Sequence, residues 1–270
     1  MNALGASQPH IVILGAGASI AAYNDWGAVG GRPPSMQDIV DILALREAVS
    51  QAGYDPDKIE FEDLYDELAS SDKHQDLRKL IESQVYSYFS SLSLPGSPTI
   101  YDYLILGLRE KDIIATFNWD PFLLQAYMRN EVVTETRRPE IAFLHGNVLV
   151  GKCEDDRTSG INGQSCPKCG KTFTPSKLLY PIRKKDYYRH PFIKNEWDGL
   201  RALRSGYFLT IFGYRAPKSD VEARKLMLDD WKQNPALDFA EVRHRRHKTT
   251  SAIGRDMERI FRKGTLWDLG

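Results

Sequence analysis

Two short stretches of this chain gather side chains that can grip a sugar and activate a water or hydroxyl. TFNWD offers Thr116, Asn118 and Asp120, and FLHGN offers His145 and Asn147. A third, HIVILGAGAS, ends in Gly15, Ala16, Gly17, Ala18 and Ser19, where two glycines permit close backbone approach and a following helix would aim amides at a phosphate. Each has an ordinary reading by itself: a tight turn, a capped strand end, a structural histidine. Their succession along one chain is what points to a site.

Each stretch follows a short apolar run, as when a buried parallel strand stops at the carboxyl edge of its sheet. Ligands of open α/β sheets bind at that edge, so the three stretches are expected to share a crevice. The predicted fold is therefore α/β, with a Rossmann-like parallel sheet. A dehydrogenase-type unit would soon return to a second strand ending in an acid, but this chain instead enters YNDWGAVGGRPP and turns helical. Ser35 and Asp38 read as a capping pair before an apolar face of Met36, Ile39, Val40 and Leu43. Amphipathic segments follow at 59–69 and 77–92, the second with Leu77, Leu80, Ile81, Val85, Tyr88 and Phe89 on a common side. After the break LPGSP, Thr99 can cap a helix running through Leu108.

Pro121 suits a helix start, with Phe122, Leu123, Ala126 and Tyr127 turned inward. Val132, Val133 and the run from Ile141 to Leu144 supply strand material. Phe192 to Leu203 and Val221 to Trp231 read as helices, Tyr207 to Phe212 and Phe239 to Val242 as strands, and 253–261 as a last helix. The expected organisation is one domain over 1–270, a helical insertion at 35–110 and a small lobe at 151–176.

Lys plus Arg equals Asp plus Glu at 36 each, so no global field draws nucleic acid or an anionic membrane, and a small-molecule partner is favoured. The basic run RHRRHK at 243–248 reads as a solvated face. No apolar window is long enough to span a bilayer and the start MNALGASQPH lacks secretion features, so a cytoplasmic protein is expected. All three cysteines, Cys153, Cys166 and Cys169, fall in one Gly, Asp and Ser-rich segment too polar to carry a core, where an odd count with a CPKC knuckle suits a metal better than a disulfide.

The order GAGAS, TFNWD, HG and a cysteine lobe resembles the sirtuin (Sir2) superfamily, whose motifs are GAGxS, TxNxD and HG followed by a cysteine zinc ribbon. IFGYRAPKSD further resembles the Gly-Tyr segment of bacterial SIR2-like NAD hydrolases of antiphage defence. The resemblance implies a sirtuin-like fold in which Gly15, Ala16, Gly17 and Ser19 hold the diphosphate of NAD. It places Thr116, Asn118 and Asp120 at the nicotinamide-side ribose and the attacking oxygen, makes His145 a base or ribose anchor, and sets Gly213 and Tyr214 near the adenosine half. It also implies a structural zinc on Cys153, Cys166 and Cys169. Asp155 or Asp156 stands where the fourth thiolate would be, and a carboxylate, a histidine or water could complete the set.

Two departures from deacylating sirtuins favour a hydrolase of the free dinucleotide. GAVGGRPPSM replaces their Gly-Ile-Pro-Asp-Phe-Arg run, and LLYPIRKKDY stands where their Phe-Gly-Glu segment pins a peptide. The implied activity is NAD cleavage to nicotinamide and ADP-ribose, with protein deacylation or silent nucleotide binding as alternatives. Restraint of such an enzyme would come from self-assembly or from a separate sensor subunit that senses or hydrolyses nucleotides.

Overall fold

The computed structural model describes residues 8–24, 31–131, 138–182, 187, 189–202, 206–215, 220, 223–224 and 239–243. Elements are numbered in chain order. Five parallel strands, β1 (His10–Leu14), β2 (Ile113–Thr116), β3 (Glu140–Phe143), β7 (Phe208–Phe212) and β8 (Phe239–Arg243), form one sheet in the order β3-β2-β1-β7-β8. The order reverses beside β1, which makes the carboxyl ends of β1 and β7 the switch point of the sheet. Leu14 pairs with both Thr116 and Phe212, and Thr116 pairs with Phe143. Four strands thus end in one row, and the loops leaving them start level.

The period of two along a strand divides the core between the faces. Val12, Leu14 and Ile114 face one way, into a cluster with Ala18, Phe61, Ile81, Tyr101 and Phe122. Ile11, Ile13, Ile113, Ala115 and Ile211 face the other way, into Tyr187, Ile193 and Trp197. Burial of each such aliphatic side chain contributes about 1.5–3 kcal/mol.

On the first face lie α1 (Ala16–Asn24), α2 (Ile39–Ile42), α3 (Arg46–Gln51), α4 (Phe61–Ala69), α5 (Gln75–Ser91), α6 (Ile100–Gly107) and α7 (Phe122–Arg129). The Ser35–Asp38 pair is present, with the Ser35 amide and hydroxyl both donating to Asp38 Oδ1, but the helix after it lasts one turn before Ala44 turns at φ +53°. In α5 the buried side is Leu77, Ile81, Val85 and Phe89, while Leu80 is exposed. Leu80 falls about 120° round the helix from the centre of that side. Thr99 and Asp102 form a full capping box on α6, and Arg129 and Asn130 also bond the Asp102 carboxylate. Pro121 precedes α7, in which Phe122, Leu123 and Ala126 are buried and Tyr127 is half-buried under Arg138.

The second face carries α8 (Pro191–Ala202). Between β3 and α8 the lobe builds an antiparallel sheet, β5-β4-β6, from β4 (Val150–Cys153), β5 (Thr158–Ile161) and β6 (Thr174–Pro175). The expected strand at Val132 and Val133, most of the helix at 221–231, the helix at 253–261 and nearly all of RHRRHK lie outside the described residues.

Candidate active site at the carboxyl edge of the sheet

The loops of the edge are stitched by the backbone. The amides of Phe117, Leu144 and Gly15 donate to the carbonyls of Leu14, Thr116 and Phe212. Gly15 and Gly17 are required by contact with the loop after β7: a Cβ on Gly15 would stand 2.5 Å from Tyr214 Cα, and one on Gly17 2.8 Å from Gly213 Cα. The Gly17 amide donates to the Gly213 carbonyl and the Ala18 amide to Gly15. Much of the loop expected to cradle phosphate is therefore spent on holding β1 and β7 together, with Ala16 and Gly17 its partly exposed residues. Gly146, the glycine of HG, has φ +79° and would press a Cβ to 2.3 Å from the Lys177 carbonyl. His145 must thus be followed by glycine for the chain to turn there.

Asn118 is the hub of the first hydrogen-bond network. Its Nδ2 reaches the Gly15 carbonyl and Ser19 Oγ at 2.9 Å and Tyr101 Oη at 3.3 Å, and Ser19 and Tyr101 share a 2.7 Å bond. The Thr116 hydroxyl accepts from the Asn118 amide, a strand-end turn that fixes where the side chain emerges. Asp120 belongs to the same group: Ser19 bonds its carboxylate and Oδ1 accepts from the Phe122 amide at 3.2 Å. Burial outweighs these bonds and raises its pKa to about 6. Burial and the nearby Asp120 push the Tyr101 phenol up as well. Asn147 Nδ2 donates to the Asp120 carbonyl at 2.7 Å while its Oδ1 accepts from Leu149, so this residue clips two loops together.

His145 sits in a second, aromatic network on the α8 face. Nε2 lies 3.3 Å from Tyr187 Oη and 3.9 Å from Asp220 Oδ1, and Tyr214 Oη donates to Asp220 Oδ2 at 3.0 Å. Phe117 packs edge-on to the imidazole at 4.8 Å and stacks on Tyr214 at 4.2 Å. The structure thus brings Ser19, Asn118 and Asp120 together, and His145 with Tyr214. The two sets meet through consecutive residues, Phe117 touching His145 and Asn118 touching Ser19.

Several members of these networks carried no legible signal in sequence. Tyr101 is one aromatic of a capped helix, Tyr187 one of a basic run, and Asp220 one end of a polar loop. Glu196, on α8, accepts from the Phe143 amide of edge strand β3 at 2.6 Å, and burial raises its pKa to about 7. Trp119, inside TFNWD, packs against Phe89 and Tyr180, and its buried Nε1 finds no hydrogen-bond acceptor among the described residues.

The lobe brings Cys153, Cys166 and Cys169 to one point and adds Asp156, with the four ligand atoms within 4.8 Å of one another. Cys153 Sγ is 3.4 Å from Cys169 Sγ, and Asp156 Oδ2 is 3.2 Å from Cys166 Sγ. That suits a tetrahedral zinc with about 2.3 Å bonds to sulfur. Asp155 is turned away to Lys171. Asp156 pushes the Cys169 thiol up to about 12, and a bound cation would draw it back to the thiolate that ligates metal. The four residues could hold a zinc ion whose role is to order the lobe.

No protein-family model matches the chain, and no curated protein matches it. Among solved structures, the chain is similar to a Sir2 homolog in complex with NAD, with 15% identity over 96% of this chain and 90% of the other at a TM-score of 0.42. It is also similar to a mutant Sir2 homologue bound to 2'-O-acetyl ADP ribose, with 17% identity, 97% and 93% coverage and a TM-score of 0.37. A third similar structure is another Sir2 homologue mutant bound to ADP ribose, at 15% identity, 96% and 93% coverage and a TM-score of 0.36.

Proposed function

We propose that this protein is an NAD hydrolase that cleaves the nicotinamide–ribose bond to give nicotinamide and ADP-ribose. The observation that carries the reading is the level row of strand ends, which gathers the GAGAS, TFNWD, HG and GY segments at one edge beside the switch point. The resemblance of the first three segments to the sirtuin superfamily, and of the GY segment to the SIR2-like NAD hydrolases, names the substrate.

Nicotinamide leaves NAD as a neutral base carrying the bond's electron pair, so departure needs no acid, and the sugar carbon becomes oxocarbenium-like. The protein's task is to hold the ribose, exclude bulk water and place one water on the freed face. Asn118 orients that water through its amide. His145 takes the water's proton directly or through a ribose hydroxyl, and Asp120, ionised above about pH 6, offsets the developing positive charge. Ala16, Gly17 and the start of α1 would take the diphosphate, and Gly213 and Tyr214 would lie near the adenosine half. A zinc on Cys153, Asp156, Cys166 and Cys169 supplies structure alone.

The segment where a deacylase would pin its peptide is occupied by contacts within the chain. Leu179 donates to the His145 carbonyl, Tyr180 stacks on Tyr65 of α4 at 4.6 Å, and its phenol donates to the Glu82 carbonyl of α5. This favours a free dinucleotide over an acylated peptide. In a cell such an activity would deplete NAD, as in abortive antiphage defence, under control of self-assembly or a nucleotide-sensing partner.

Incubating the protein with NAD alone, and with NAD plus an acetyl-lysine peptide, and separating the products by chromatography tests the proposal. Nicotinamide and ADP-ribose from NAD alone are expected. Release only with peptide would make it a deacylase, and nucleotide binding without turnover a silent subunit.

A further inference from the structure

We propose that Tyr101 is the positioning residue of Asn118: its phenol donates to Ser19 and so sets a chain of hydrogen bonds that pins the Asn118 amide nitrogen and leaves the amide oxygen, Oδ1, to the attacking water. The catalytic consequence rests on the NAD hydrolase reading above; the chain of bonds does not. Tyr101 enters from the first turn of α6 and Ser19 from α1, and neither is more than 1% exposed. A phenol proton buried so deeply needs an acceptor. Tyr101 Oη has two partners among the described residues, Ser19 Oγ at 2.7 Å and Asn118 Nδ2 at 3.3 Å, and an amide nitrogen only donates. The phenol proton therefore goes to Ser19.

The same count of protons fixes the next link. Ser19 Oγ receives from Tyr101 and, at 2.9 Å, from Asn118 Nδ2, so its own proton is left for the Asp120 carboxylate. The chain runs from Tyr101 through Ser19 to Asp120, and each hydroxyl oxygen presents a lone pair to Asn118. The Gly15 carbonyl, at 2.9 Å, can only accept. Nδ2 thus stands among three acceptors, which decides which end of the amide points inward. Oδ1 is the other end: it takes no partner among the described residues and, unlike the indole nitrogen of Trp119, it is not sealed from the surface. There it can accept a hydrogen bond from a water and hold that water's lone pair toward the anomeric carbon. Ser19, which the resemblance gives to the diphosphate, is spent on this chain instead. A tyrosine kept for packing alone could be replaced by phenylalanine, which keeps the ring; a tyrosine that directs this chain could not.

The test uses the full chain with 15N-labelled asparagine, the Asn118 side-chain amide signals being identified by their loss in Asn118→Ala. In Tyr101→Phe the hydrogens on Nδ2 are expected to exchange with water about threefold to tenfold faster, the protection lost with one buried hydrogen bond. Turnover of NAD is expected to fall about tenfold in kcat with KM little changed, as when an orienting group is loosened rather than removed. An unchanged exchange rate or a wild-type kcat overturns the proposal, and so does a raised KM at unchanged kcat, which would give Tyr101 a part in binding instead. Should the wild type release no nicotinamide, the hydrolase reading fails while the exchange rate still decides whether Tyr101 holds Asn118. Should Tyr101→Phe fail to fold, Ser19→Ala carries the test. It removes the hydroxyl that the phenol serves, and the same faster exchange at Asn118 is expected; an unchanged rate again overturns the proposal.

Discussion

The carboxyl edge of the sheet and the cysteine lobe both gather polar side chains, but they hold them by different physics. At the edge, Asn118, Asp120, His145 and Asn147 are each at most 8% exposed and stand among neighbours the fold has already packed, so hydrophobic burial on both faces keeps them in place. In the lobe the buried cluster is only Cys153, Cys166 and Phe173, too little to order the polar chain of 151–176. Its order depends on the ligand set itself and on a few ties to the main body, such as Asn162 to Tyr86 of α5. A preorganised site can lose a functional group and keep its shape, whereas a site that is its own scaffold cannot.

That contrast breaks most directly at Asn118. Asn118→Ala is expected to lower NAD turnover by roughly two to four powers of ten, the scale for a water-orienting or proton-transferring group, with the thermal midpoint close to wild type; His145→Ala should behave alike. Wild-type turnover in either would remove that residue from the mechanism. In the lobe the expected pattern is reversed. Cys166→Ser should abolish tightly bound zinc, measured as about one metal per chain in the wild type, and expose 151–176 to protease while the sheet's thermal transition persists. A metal-free, fully ordered wild type would show that the lobe stands without an ion.

Asp120 sharpens the comparison, because its place at the edge carries a cost. Its folded pKa of about 6 lies above that of an unfolded aspartate, so stability is lost as pH rises from about 4 to about 6. Asp120→Asn is expected to gain about 3 kcal/mol at pH 7.5 and little at pH 4, while losing the acid limb of activity near pH 6. Equal stabilisation at both pH values would mean the carboxylate is not strained by burial. The smallest effect is expected far from chemistry: Thr99→Ala should cost about 1 kcal/mol through loss of the α6 cap and leave KM for NAD unchanged.

The alternation of apolar runs and polar stops made the parallel sheet legible, because a strand buried on both faces must be apolar throughout. The Thr99 cap, the strand at Ile113 and the helix after Pro121 were legible for similarly local reasons. Leu80 was misplaced because a small angular error at the rim of a helical stripe decides between core and solvent, which only the packed neighbour settles. By type the glycines of GAGAS suit close approach of a ligand, but contact with Gly213 and Tyr214 accounts for them first.

Residue types and local spacing determined the strands, the edge motifs and the cysteine knuckle, since each follows from hydrophobic period, turn chemistry or ligand preference within a few residues. Tertiary structure decided the rest: that Asp156 rather than Asp155 joins the three thiols, that Tyr101 enters the Asn118 network, and that Asp220 meets His145. Those pairings span up to 75 positions of chain, and no local rule sets them. Only the level strand ends and the packing of two opposed cores bring such distant residues within bonding range.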